Sequence, residues 1–392
     1  MRLSSASRFN LFIFGVVAVL LLYAGCGGQD LIGDAKGLWA ELFGPKTARQ
    51  AYRKALARSG NVAERDLELW DAAYQVAKTT PLSVNLPHRE KLSVGTDLLT
   101  SPQALRLTAR PGRQLRIRAE GETSGPLFGE LFSLRSGPAK DKPLLSWDTL
   151  TREIVFETRQ RRAEELVLVV QAAPRNEATY ELQITSEPVL LFPVAGKDDG
   201  AIQSFWGAPR DGGRRKHEGN DIFAPKGTEL LALTDGKITR VNNGGLGGKT
   251  VWLYDAKRDL RYYYAHLDEQ LVSRGQYVRR GDVIGTVGNT GNARTTPPHL
   301  HFGIYAGGAI DPFPFLQRAD ALPPSPQYSL TAPAAAQKVP ATGNHYLRLQ
   351  PERDGTKIRQ LNNGEPVTTL GATGRFYRVL TENGELGYVN FD

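Results

Sequence analysis

From about residue 93 to 188 the chain alternates. Apolar and polar positions exchange places residue by residue through "ALRLTA", "QLRIRAE", "GELFSLRS", "REIVFET", "ELVLVVQAA" and "TYELQITS", with Pro, Gly and Asn between the runs. A period of two puts successive side chains on opposite faces of a strand, so 93–188 is expected to form an antiparallel β-sandwich. Ahead of it the period is helical. "TARQAYRKALARSG" carries Ala48, Tyr52, Ala55 and Leu56 on one side, with Pro45 and Thr47 at its start and Gly60 as its stop. "AERDLELWDAAYQVAKTT" sets Leu69, Ala73, Val76 and Ala77 along one stripe. Both read as packing helices within a helical region, 27–92. A β-rich pattern returns over 189–318. A Pro/Ala-rich linker at 319–343 is too poor in large apolar residues to fold alone, and 344–392 holds short strands joined by Asn-Gly and Gly-rich turns.

The first 26 residues form a different pattern, a positive start (Arg2, Arg8) followed by "LFIFGVVAVLLLYAG" and then Cys26. The apolar run falls short of the ~20 residues a membrane-spanning helix needs, and reads as an export signal. Cys26 is the only cysteine, so no intramolecular disulfide can form. Its setting after Ala24 and Gly25 resembles a bacterial lipoprotein processing site, with Tyr23 where leucine is usual. That resemblance implies lipidation of Cys26; the other reading is an uncleaved signal anchor. Either way the remainder would be exported and held at a membrane.

Composition changes little in this picture. The formal charge of +8 comes from 49 Lys and Arg against 41 Asp and Glu. Apart from "RQRR" (159–162) and "GGRRKH" (212–217) the cations are scattered, as on a solvated surface. No nucleic-acid partner is expected, and no motif sets an oligomeric state.

Chemistry concentrates in the third pattern. Of six histidines, His217, His266, His299 and His301 fall within it. His88 and His345 lack ligand-type neighbours and read as ordinary surface residues. In "HLHFGIY" alternation turns Leu300, Phe302 and Ile304 to a core, and His299, His301 and Gly303 the other way. "HEGNDI" places Asp221 four residues after His217. A catalytic zinc takes three ligands from His, Asp or Glu and keeps a fourth position open; His217, Asp221 and one histidine of the H-x-H fill that count. In "LRYYYAHLD" the same alternation puts Tyr262, Tyr264 and His266 together on one face, away from the core.

In order, "SFWGAPRDGGRRKHEGNDIFAPKGTELLALTDGKI", "YYYAHL" and "GDVIGTVGNTGNARTTPPHLHF" resemble the LytM/lysostaphin type of zinc endopeptidase, bacterial enzymes that cut peptide crosslinks in peptidoglycan. About a third of the chain is covered. The resemblance implies one Zn2+ held by His217, Asp221 and His301, with His266 and His299 catalytic. Asn220 departs from it, standing where an aliphatic residue is usual. The last 49 residues, from "YLRLQP" to "FYRVLTENGELGYV", resemble a bacterial Src-homology-3-like barrel, with Tyr388 in place of the usual tryptophan. Such barrels usually bind cell-wall peptide.

The expected whole is a mainly β, multidomain chain: signal 1–26, helical region 27–92, sandwich 93–188, LytM-type peptidase domain 189–318, linker 319–343 and barrel 344–392. The expected function is zinc-dependent endopeptidase action on peptidoglycan peptide stems in the cell envelope, on the periplasmic face of the outer membrane. A D-alanyl–diaminopimelate crosslink is the chosen bond, because export and Gly27 after Cys26 fit an outer-membrane lipoprotein. A non-catalytic adaptor or amidase activator, and a latent enzyme covered by 27–188, are the rival readings. "GGLGGKT" (244–250) is not a phosphate loop, since Asn243 holds the place of its first glycine. It and "GNTGNA" (288–293) read as loops beside the groove. The single "HE" pair, His217-Glu218, has no second histidine at 221, which excludes an H-E-x-x-H helix.

Overall fold

The structure, a computed structural model, describes residues 47–96, 102–136, 142–158, 162–326, 335–340 and 342–391. The expected export signal and Cys26 lie outside the described residues. Among the described residues, those up to Glu68 and those from Leu69 onward form two compact units. In the first, helix α1 (Ala48–Ser59) opens on Thr47, whose hydroxyl accepts from the Gln50 N–H, and closes on Gly60 at φ 68°. This is the cap and stop the sequence called for. Helix α2 (Glu64–Thr79) follows. Its second-unit residue Trp70 is fully buried and donates from Nε1 to the Ala172 carbonyl at 2.9 Å. Among the described residues no helix is long and apolar enough to cross a membrane.

A sandwich follows. Strands β1 (His88–Val94), β2 (Gln103–Ala109), β3 (Arg113–Thr123), β4 (Leu127–Ser133), β5 (Glu153–Glu157), β6 (Glu164–Ala172) and β7 (Ala178–Pro188) make up most of it. β2, β6 and β4 are neighbours in one sheet, and β1, β7, β3 and β5 in the other. Leu105, Leu107, Leu166, Leu168, Leu115, Ile117, Tyr180 and Leu182 meet in the core between them. The alternating runs form these strands because each puts one apolar row inward. β1 begins five residues ahead of the expected boundary because its inward row starts with His88 and Glu90.

The next sheet is antiparallel throughout its main path. Strands β8 (Ile202–Ser204), β9 (Asn220–Phe223), β10 (Gly236–Asn242), β11 (Thr250–Asp255), β12 (Leu260–Ala265) and β13 (His299–Tyr305) lie in the order β8-β9-β13-β12-β11-β10, with Tyr277–Val278 at the far edge. Ile222, Leu300, Phe302, Ile304, Tyr262, Tyr264, Val251, Leu253 and Ile238 cover one face with no exposure. Burying each such side chain contributes roughly 1.5–3 kcal/mol. That face fixes the register, and hence what stands on the other.

The last strands, β14 (Tyr346–Arg348), β15 (Lys357–Gln360), β16 (Pro366–Thr373), β17 (Phe376–Thr381) and β18 (Leu386–Val389), enclose a small core of Val339, Leu347, Leu361, Val367, Val379 and Val389. They are not a separate sheet. β16 pairs with β1 through Lys91↔Ala372 and Leu92↔Gly371, joining these strands to the sandwich edge. Gly371 permits the approach, since a Cβ there would lie 2.8 Å from Leu92 and 2.9 Å from the Lys91 carbonyl. Arg378 of β17 is fully buried at the seam and bonds Glu90 of β1 through Nε (2.8 Å) and Nη2 (2.7 Å). His88 and His345 are both buried, which corrects their reading as surface residues. His88 Nε2 faces Glu90 at 3.1 Å, and His345 bonds the Asn390 and Thr342 carbonyls.

Candidate metal centre

β9 and β13 are adjacent and antiparallel, and their register sets Asp221 opposite His301 and Phe223 opposite His299. Because Ile222 and Leu300 are committed to the core, Asp221 and His301 must stand together on the open face. His217 precedes β9 by three residues and reaches the same point. Asp221 Oδ1 is 3.0 Å from His301 Nδ1 and 3.0 Å from His217 Nε2, and the two nitrogens are 2.9 Å apart.

Backbone carbonyls settle the tautomers. A carbonyl can only accept, so His217 Nδ1 carries the proton that it donates to Phe205 O at 3.0 Å. His266 Nδ1 donates likewise to Thr290 O (2.8 Å) and His299 Nδ1 to Pro297 O (2.9 Å). Each of these rings therefore presents the lone pair of Nε2. His301 instead offers Nδ1. Its ring lies against Gly219, where a Cβ would be 2.8 Å from Cε1 and 2.9 Å from Nε2.

Three electron-pair donors thus converge with ligand atoms all within 4.8 Å of one another. Tetrahedral ligands about 2.0–2.1 Å from a zinc ion stand about 3.3 Å apart, close to the spacing found. The residues present fit a single divalent ion. Burial works to raise the Asp221 carboxyl, yet the two imidazoles set against it, His217 and His301, hold it far below the usual range. Burial pushes His301 down, with Asp221 opposing. Burial and the neighbouring His299 push His266 down to about 4.

His299 stacks on Phe223 at 5.0 Å, and its ring centroid is 5.1 Å from that of His266. All five sequence-chosen residues line one cavity of about 550 Å³. Every residue lining it falls between Ser204 and Tyr305, including Leu246 and Gly247 of the glycine-rich loop and Asn292 and Ala293 of the second loop.

One expectation about orientation is overturned. Tyr262 and Tyr264 face the core with no exposure, while Tyr263 and Ala265 face the cleft. β12 ends at Ala265, and His266 adopts φ 66°, so the chain turns over and returns its side chain to the cleft side. A histidine in that left-handed region is held at a cost of order 1–3 kcal/mol. Its N–H on Gly247 O at 2.8 Å helps to fix it.

Sequence reading passed over Arg210. Its Nη2 donates to Asp221 Oδ2 at 2.8 Å and to Ser204 Oγ at 2.6 Å. One carboxylate oxygen thus faces the imidazoles and the other the guanidinium. The only trace in sequence is an arginine seven residues before His217, inside a cluster of cations. Asn220, which departs from the LytM pattern, is fully buried; its Oδ1 accepts from the Trp206 N–H at 2.9 Å, and its Nδ2 has no hydrogen-bond partner.

Fold and site together define a β-sheet domain with a His–Asp–His group able to hold one metal ion. Residues 215–312 match peptidase family M23, and residues 343–390 match the bacterial SH3 domain. The chain therefore carries an M23 domain followed by a bacterial SH3 domain. An L-Ala–D-Glu endopeptidase of Bacillus subtilis (strain 168) is 35% identical over 139 residues, 32% of this chain and 42% of that protein. The murein hydrolase activator NlpD of Escherichia coli (strain K12) is 33% identical over 135 residues, 34% of this chain and 33% of that protein. The chain spans less than half the length of either relative. Among solved structures, the catalytic domain of lysostaphin from Staphylococcus simulans is 34% identical, covering 28% of this chain and 87% of that one with a TM-score of 0.26.

Proposed function

We propose that the chain is a zinc-dependent endopeptidase of bacterial peptidoglycan, acting on peptide stems in the cell envelope. The observation that carries this reading is the convergence of His217, Asp221 and His301 on one point, with the Nε2 atoms of His266 and His299 presented to the same cleft. The first three would hold the ion. When bound, zinc supplies Lewis acidity at neutral pH, polarising a carbonyl and acidifying water.

The chain's own residues do the rest. His299, its Nδ1–H pinned to Pro297 O, accepts the proton of the attacking water at Nε2 and later delivers it to the departing amine. His266 stands across the cleft with a lone pair at Nε2 at rest, and it steadies the tetrahedral intermediate once the developing anion has drawn a proton onto that nitrogen. Both rings are held alike, so the geometry permits these two duties to be exchanged.

A D-alanyl–diaminopimelate crosslink is the bond assigned, with export and lipidation at Cys26 placing the enzyme at the periplasmic face of the outer membrane. The test is incubation of the exported chain with purified crosslinked muropeptides, with and without chelator, read by mass spectrometry. Chelator-sensitive conversion of dimers to monomers is expected. Stems shortened between L-Ala and D-Glu would reassign the bond. The rival is activation of another hydrolase, the role named in the NlpD relative. It requires His301→Ala and wild type to behave alike, with no turnover by either.

A further inference from the structure

The open face of the sheet does not end at the histidines. Away from the His301 row, cross-strand register places Gly303, Tyr263 and Trp252 opposite one another on β13, β12 and β11, and then Tyr305, Arg261 and Tyr254. Trp252 lies 4.5 Å from Tyr263 and 5.1 Å from Tyr305 between ring centroids, and Tyr263 lies 5.9 Å from His301. The side chain missing at Gly303 makes this possible, since a Cβ there would meet Tyr305 Cε2 at 2.9 Å. That glycine gives its room to an aromatic ring. None of the three rings belongs to the hydrophobic core, and each is half-buried.

Charge on this face is mostly positive. Arg261 lies 5.1 Å over the Tyr254 ring, Arg240 stands opposite Trp252 and Lys237 opposite Tyr254. Arg261, Lys237 and Arg240 are all exposed. Against them stand Glu218, whose charge is felt by Tyr305, and Asp259, which accepts from the Tyr254 hydroxyl at 3.1 Å. From His301 to Tyr305 is four residues of strand, about 13 Å. The surface is therefore an aromatic floor with a cationic border, continuous with the cleft.

We infer that this face is a glycan subsite: Trp252, Tyr263 and Tyr305 receive the apolar face of a pyranose ring, and Arg261 and Arg240 receive carboxylates of the stems attached to it. This rests on the peptidoglycan reading above. A pyranose offers C–H groups on its faces and polar groups at its rim, the match of half-buried rings bordered by donors. A crosslink held at His301 is tethered to such rings, so a strand lying along the face would present further stems to the same centre.

The probe is a peptide-free β-1,4-linked N-acetylglucosamine hexamer, titrated into the full chain by calorimetry. Wild type is expected to bind, Trp252→Ala to bind at least about tenfold more weakly, the cost of removing one stacked ring, and Trp252→Phe to recover most of the loss. Recovery with phenylalanine separates stacking from misfolding. No binding by wild type, or equal binding by Trp252→Ala, overturns the inference. Cleavage by wild type of a crosslinked peptide freed of glycan is measured in parallel. Failure there removes the peptidase reading while the hexamer titration stays interpretable.

Discussion

Arg378→Met tests what holds the C-terminal strands to the sandwich. Both partners of the Arg378–Glu90 pair are fully buried, and the contact is bidentate. Arg378 Nη1 also reaches Gln103 Oε1 at 3.2 Å, Nη2 donates to the Tyr388 hydroxyl at 2.8 Å, and that hydroxyl donates to Glu90 at 3.2 Å. Methionine keeps much of the aliphatic stem but leaves a carboxylate with no exposure and only the His88 imidazole and the Tyr388 hydroxyl beside it. Breaking a buried pair from one side costs about 3–5 kcal/mol.

A second route reaches the same size. Burial alone would raise the Glu90 carboxyl; the charge of Arg378 and hydrogen bonds from His88 and Arg378 bring it down to about 2. Against an ordinary glutamate near 4.3, that displacement corresponds to roughly 3 kcal/mol. Because the folded value is depressed, this contribution is whole above about pH 4.3 and is lost as pH falls through about 2. Hydrogen exchange at Leu92 and Gly371, which pair across the seam, should quicken in Arg378→Met by about two to three and a half powers of ten at pH 7. Arg378→Met/Glu90→Met, which leaves no lone charge, should recover at least half of the loss. In acid, near-ultraviolet dichroism of wild type should show the seam weakening between about pH 4 and 2, and the double variant should lack that component. A single variant costing under about 1 kcal/mol, or a double variant no better than the single, refutes the reasoning.

Three further outcomes follow from the site. His301→Ala should lose metal, whereas His299→Ala should keep it and lose turnover by about 10²–10⁴-fold; elemental analysis alongside the muropeptide assay separates the two, and equal metal content in both would refute the ligand assignment. Arg210→Met, which frees Asp221 Oδ2, should weaken metal binding by about 10–100-fold with partial recovery in Arg210→Lys; competition against a chromogenic chelator reads it, and unchanged affinity makes the ion pair incidental. Gly219→Ala would place a Cβ 2.5 Å from the Phe302 carbonyl and 2.8 Å from His301; thermal melting should register a loss of about 1–3 kcal/mol, and a stable variant with undiminished metal binding would contradict this packing.

What was legible in the sequence was whatever burial made periodic. Leu300, Phe302 and Ile304 entered the core as their alternation required, and the two histidines between them were thereby placed on the open face. Strand β1 was hidden for the opposite reason. "HREKLSV" puts His88 and Glu90 inward, and a strand whose inward row begins with a buried acid and its partners does not alternate in hydropathy. The seam was equally silent, since nothing in "FYRVLT" tells that Arg378 faces inward to an acid 288 positions away. Local pattern records which face is buried, not which distant strand covers it.

His266 shows where the periodic rule itself ends. Parity assigned it to the face of Tyr262 and Tyr264, and those two tyrosines proved to be core. Had the strand continued unbroken, His266 would have been buried with them, and the cleft would have lacked one of its four imidazoles. The reversal comes from a single residue at φ 66° after Ala265. It is held by hydrogen bonds from the backbone N–H to Gly247 O and from Nδ1 to Thr290 O. Each carbonyl belongs to one of the two loops beside the groove, and those loops meet so closely that a Cβ on Gly291 would lie 2.3 Å from Leu246 O. The glycines of these loops thus let the two pack against each other and set one imidazole where strand geometry alone would not.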